Sequence, residues 1–139
     1  MWPFSHNGEK RARKNALDKA CRLLTMQLLG AKDGDRFIED EKDLWPLGYC
    51  FGLLQASLEA VDAKAQLGRS DYESHITDGF GLVFADVAFG VIQYRVSLSS
   101  MDDPKFHAGR IAGATEYVQV VNAKAERAYG LSRYLSADS

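Results

Sequence analysis

With 139 residues, 46% of them hydrophobic and 26% charged, the chain has the size and composition of one ordinary globular domain, which excludes a disordered, collagenous or acidic-tail protein. Its 17 basic and 19 acidic side chains leave a formal charge of -2, too small to hold the whole molecule on nucleic acid or an anionic membrane, so any polyanion contact has to be local. Cys21 and Cys50 lie in apolar patterns without CxxC spacing and read as small buried hydrophobes of a reducing compartment.

Aromatic residues precede the basic ones at the N-terminus, the reverse of a secretory signal, so a cytoplasmic location is expected. Residues 1–139 read as a single helical domain, with 1–8 and 136–139 as flexible tails. From Glu9 to Ala31 the apolar positions Leu17, Cys21, Leu24 and Leu28 keep one stripe of a helix facing a core, and Gly30 with the turn-like 32–35 ends it. Residues 36–43 fit either a short helix or an ordered loop.

A second helix is predicted from Leu44 to about Leu67, with Asp43 as N-cap and Pro46 in the first turn. Leu47, Phe51, Leu54, Leu58, Val61 and Ala65 form one seam on it; Tyr49, Leu53, Ala56, Ala60, Ala63 and Leu67 form another. Two seams call for two neighbours, within a bundle or across an oligomer. After Gly68-Arg69, Ser70 and Glu73 read as a capping box opening a third helix.

Tyr72, Ile76, Phe80, Val83, Val87, Val91, Tyr94 and Leu98 continue that helix, with Gly79, Gly81 and Gly90 marking either close helix approach or a break. Ile92, Tyr94, Val96 and Leu98 also alternate at the period of a half-buried strand. Asp103-Pro104 starts a fourth helix carried almost to the end by Ile111, Ala114, Val118, Val121, Ala125, Ala128 and Leu135. The patterns predict an all-α protein, an antiparallel bundle of three to four helices; the alternative is α+β with a small hairpin over residues 82–98. Gly48 with Gly52 and Gly109 with Gly113, each pair four apart, point to closely approaching backbones.

Three residue sets carry candidate chemistry. Cations at Lys10, Arg11, Arg13 and Lys14 oppose the positive end of a helix dipole, and with Trp2 and Phe4 they suit a membrane surface or a nucleic acid; the plainer account is a solvated helix face. Glu59, Asp62, Asp71, His75 and Asp78 would meet across a hairpin as ligands for a divalent metal supporting hydrolysis. That set lacks a second histidine and the paired Glu-x-x-His pattern, and a solvated polar face is the plainer account. Trp45 and Tyr49, with Asp86 in the most apolar stretch, are candidates for a ligand pocket; Asp86 should face solvent or have a partner.

No nucleophile elbow, phosphate loop or dinucleotide motif is present, no pattern asks for a cofactor, and no run is long and apolar enough for a transmembrane span. The reading is a small soluble helical protein-interaction module with a protein partner, expected to be a homodimer. A metal- or ligand-binding bundle and peripheral membrane or nucleic-acid binding are the alternatives.

Overall fold

The computed structural model describes residues 3–30, 43–62, 70–122 and 128–137, and every regular element among them is helical. The helices are α1 Pro3–Gly30, α2 Trp45–Glu59, α3 Ser70–Phe84, α4 Val87–Ser99, α5 Pro104–Val121 and α6 Gly130–Ala137. The all-α expectation therefore holds, and the hairpin alternative is corrected, since residues 87–99 form α4.

Helix α2 is the centre. From Pro46 to Leu58 every residue except Gln55 is buried, the mark of a helix surrounded on all sides rather than lying on a core. Over residues 47–58 both of its apolar seams pack inside the monomer, against α1, α3, α4, α5 and α6. Phe51, Leu53, Leu54 and Leu58 are fully enclosed, each contributing ~1.5–3 kcal/mol by leaving water. α2 ends earlier than its periodicity implies, at Glu59, and the expected continuation over 63–67 lies outside the described residues.

The glycine pairs set the closest packing. A methyl on Gly48 would lie 2.0 Å from the carbonyl oxygen of Phe106, and one on Gly52 the same 2.0 Å from that of Arg110. Reciprocally, Gly109 meets the Trp45 carbonyl and Gly113 the Tyr49 carbonyl, at 2.1 and 2.0 Å from the same ideal position. The glycine Cα hydrogens thus face carbonyl oxygens of the other helix, an arrangement that permits weak Cα–H···O contacts. Register rises together on both helices, 48 with 106 and 52 with 110, so α2 and α5 run parallel. This parallel pair, the most extensive among the described residues, joins helices that are not sequential, with α3 and α4 between them in the chain.

The long third helix of the sequence reading is broken. Ala85 takes φ 55°, and Asp86 N donates to Gly81 O at 3.0 Å, the six-to-one bond that closes a helix C-terminus in the Schellman pattern. Asp86 then turns to α4, its Oδ1 accepting from Phe89 N at 3.0 Å as N-cap. This fold-back brings Gly90 against α3, where a methyl would lie 2.5 Å from Thr77 O. The sequence glycines thus mark both a break and a close approach.

The helix starts divide. Asp103 caps α5, accepting from Lys105 N at 2.9 Å and Phe106 N at 3.0 Å. At α2 the capping residue is Leu44, without a side-chain cap bond, and Asp43 Oδ1 reaches in from one residue earlier to accept from Trp45 N at 3.2 Å. Ser70 already belongs to α3, so the expected capping box is not formed as such. Helix α1 includes residues 3–8, and α6 reaches residue 137. The open segment 36–43 lies outside the described residues except for Asp43.

Candidate interaction surface

The proposed metal ligands are not gathered into a metal-sized cluster; among the described residues no three His, Cys, Asp or Glu side chains converge for one. Glu59 accepts from Gln55 Nε2 at 2.9 Å, Asp62 lies 3.9 Å from Arg13, and Asp71 accepts from Tyr72 N at 3.0 Å. Asp78 is exposed. His75 instead turns inward: its Nε2 lies 2.8 Å from Ser57 Oγ, and Ser57 Oγ donates to Leu54 O at 2.6 Å. With the serine proton engaged there, Nε2 carries the ring proton and donates to Ser57. Burial, reinforced by the Arg13 guanidinium, holds the His75 pKa down at about 4.

The basic set is split. Lys10, Arg11 and Lys14 are exposed on α1, whereas Arg13 is partly buried beside Asp62. Phe4 falls in the first turn of α1 and Trp2 lies outside the described residues.

The suggested ligand pocket is filled by the protein itself. Trp45 stacks on Tyr134 with centroids 4.2 Å apart and planes 8° from parallel, and on Tyr49 at 5.4 Å. Tyr49 is fully enclosed, and its hydroxyl donates to Glu116 Oε1 at 2.6 Å while accepting from Gln27 Nε2 at 3.0 Å. Asp86 is exposed and serves as the cap of α4, which resolves its apolar surroundings in favour of solvent.

Glu116 and Gln27 do a second job. Glu116 accepts from Tyr129 N and Gly130 N at 2.9 and 2.7 Å, and Gln27 Oε1 accepts from Leu131 N and Ser132 N at 2.8 and 3.2 Å. The otherwise unpaired N–H groups opening α6 are thus capped by side chains from α5 and α1. Leu131 and Leu135 bury beneath it. No local sequence signal marks this cap, because both capping side chains come from other helices.

The main departure from the periodicity lies on α5. Its buried residues are Phe106, Gly109, Gly113 and Tyr117. Of the stripe expected to face the core, Ile111, Val118 and Val121 point out, 54%, 49% and 44% exposed, whereas Ala114 packs against the core and Ala128 and Leu135 are buried. Sequence reasoning missed this because two of the four inward positions are glycines, which carry no hydrophobic signal but admit the α2 backbone. The glycine spacing was the available clue.

Between Ile111 and Asn122 the only charged residue is Glu116, and it is turned into the α6 cap. Arg110, just before, is also turned inward, its Nε donating to Gln55 at 2.7 Å and its guanidinium lying 5.3 Å from the Phe51 ring centre. It also lies beside the Tyr72 hydroxyl, whose pKa burial pushes up to about 12 and which has no hydrogen-bond partner among the described residues. The outer face of α5 is therefore uncharged for three turns: Ile111, Thr115, Val118, Gln119, Val121 and Asn122 are its exposed members. α4 exposes Val87, Val91, Ile92 and Leu98 as well, with one cation, Arg95.

No family model matches the chain, and neither a curated protein nor a solved structure is similar to it. Among the described residues no helix is long and apolar enough to cross a membrane.

Proposed function

We propose that this protein is a helical protein-interaction module whose working surface is the outer face of α5. The observation that carries the reading is the uncharged, partly apolar stripe around Ile111 and Val118 on a helix whose other face is locked to α2 by glycines. Single exposed apolar residues are ordinary on protein surfaces, but a run of them without an outward charge marks a contact face. The rigid α2–α5 pair supports the role, because a face held by backbone-to-backbone packing loses little freedom on binding.

A hydrolytic metal centre has less support, since among the described residues no three candidate ligands converge and His75 is bonded to Ser57 beneath the surface. The test is a photo-crosslinking amino acid in place of Val118 in the full chain, activated in the cells that express it. A covalent protein adduct is expected, strongly reduced when the crosslinker replaces exposed Leu29 on α1 instead. No adduct at position 118 would remove the reading.

A further inference from the structure

We infer that the junction of α2, α3 and α5 holds a small oxyanion, a carboxylate or phosphate group, between the Tyr72 hydroxyl and the Arg110 guanidinium. Both side chains are turned inward, behind the outer face of α5, so the inference does not rest on the reading of that face.

Two donors meet here without an acceptor. Tyr72 is 1% exposed, and its hydroxyl has no hydrogen-bond partner among the described residues. The group beside it is Arg110, and a guanidinium carries only donors: it can offer the phenol oxygen a proton but cannot take the phenol's own. Burial keeps that phenol protonated at neutral pH. Arg110 is itself short of acceptors. Its Nε donates to Gln55 Oε1 at 2.7 Å, whereas Nη1 meets only the thioether sulfur of Met101 at 3.3 Å, a weak acceptor. Among the described residues Nη2 donates to nothing, and no carboxylate lies within ion-pair distance of the guanidinium. Glu59, the acidic residue whose charge reaches Tyr72, is exposed and accepts from Gln55 Nε2 instead.

Buried donors are rarely left unmet, and a partly buried cation rarely goes without an anion. A water molecule would answer the hydroxyl but not the charge, and a metal cation would be repelled by Arg110. An oxyanion answers both: one oxygen accepts the phenol proton, and the guanidinium presents its remaining N–H groups in the planar fork that suits carboxylate and phosphate. Arg110 is only partly buried, so the anion enters over the guanidinium, and half-buried Met101, in the turn between α4 and α5, yields its place on Nη1.

The test is nuclear magnetic resonance on the full chain with nitrogen-15 in its arginine side chains. Sodium acetate and, separately, sodium phosphate, added at constant ionic strength, should move the Arg110 Nε–H signal along a saturable curve, and sodium chloride should not. Whichever of the two half-saturates at lower concentration identifies the preferred oxyanion. Tyr72→Phe removes only a hydroxyl that makes no bond within the protein, so without added anion it should melt no lower than the wild type. Its affinity for the preferred anion should fall about tenfold, the loss of one hydrogen bond to a charged group. The inference is overturned by a signal that saturates with neither anion, by an equal response to chloride, or by unchanged affinity in Tyr72→Phe. A lower melting temperature for that variant overturns it too, because the hydroxyl would then have a partner within the chain.

Discussion

The hydroxyl of Tyr49, at the centre of the core, and the carboxylate of Glu116, on α5, share a 2.6 Å hydrogen bond whose acceptor oxygen also receives the backbone N–H of Gly130. Burial and this bond together raise the Tyr49 pKa far above its ordinary value, so the hydroxyl remains a donor. The pair joins the core to the last helix: what orders Tyr49 also caps α6.

Removing either cap should therefore release α6 selectively. Glu116→Ala and Gln27→Ala each leave N–H groups without acceptors, a loss of about 1–3 kcal/mol. Hydrogen exchange should show faster amides at Leu131 and Ser132, with α2 and α5 still protected. Because both residues hold one helix start, the double variant should lose less than the sum of the two.

The glycines make opposite predictions at different places. Gly52→Ala puts a methyl 2.0 Å from a backbone carbonyl that cannot rotate away, so the helices must separate. A loss of at least about 3 kcal/mol in urea unfolding is expected, above the usual range for overpacking. Gly8→Ala, with nothing within 4 Å, should instead gain about 0.5–1 kcal/mol from helix propensity.

Ala85 holds a left-handed conformation, φ 55°, that glycine adopts without steric cost. Ala85→Gly should raise stability by up to about 1 kcal/mol, read as an increase in melting temperature. A fall in melting temperature would mean that the methyl makes contacts worth more than the strain.

His75 links stability to pH. Its folded pKa of about 4 lies below the ordinary 6.5, so the unfolded chain binds the extra proton more readily between those values. Its contribution is fully present above pH 6.5, declines as pH falls toward 4, and is gone below that. Charging it beside Arg13 and Ser57 costs on the order of 3 kcal/mol over the interval. His75→Gln should flatten the pH slope of urea unfolding there by as much as ~1.4 kcal/mol per pH unit; an unchanged slope would sink the assignment.

Both thiols should be silent in the folded protein. Burial pushes Cys21 up to about 12 and Cys50 higher still, so neither forms the reactive thiolate at pH 8. Labelling by a disulfide reagent should follow the unfolding rate, becoming fast only in denaturant. Rapid labelling of either cysteine under native conditions would contradict their placement between α1, α2 and α3.

Several features were legible in the amino-acid order because their causes are local. Asp103-Pro104 starts α5 where its residue types require, the stripe of Leu17, Cys21, Leu24 and Leu28 faces inward on α1, and the two seams of α2 call for two neighbours where the structure supplies five. The spacing of Gly48 with Gly52 and Gly109 with Gly113 announced close backbones, though not which helices would meet or in which direction. Asp71, His75 and Asp78 were placed on one face by spacing, with Glu59 and Asp62 set opposite by a hairpin, and neither argument says that His75 would turn in to Ser57.

Tertiary packing decided the rest. Helical periodicity ranks faces by hydrophobicity, but α5 was oriented by backbone approach, which turned glycines inward and left Ile111, Val118 and Val121 outside. The break at Ala85 depends on a conformation that alanine does not advertise, stabilised once α4 can fold back onto α3. The cap of α6 needs Gln27, 104 residues before Leu131, to arrive beside it. Local order specifies what a segment prefers; the choice between its faces belongs to the neighbours it meets, because close packing and hydrogen-bond satisfaction are properties of the assembled core.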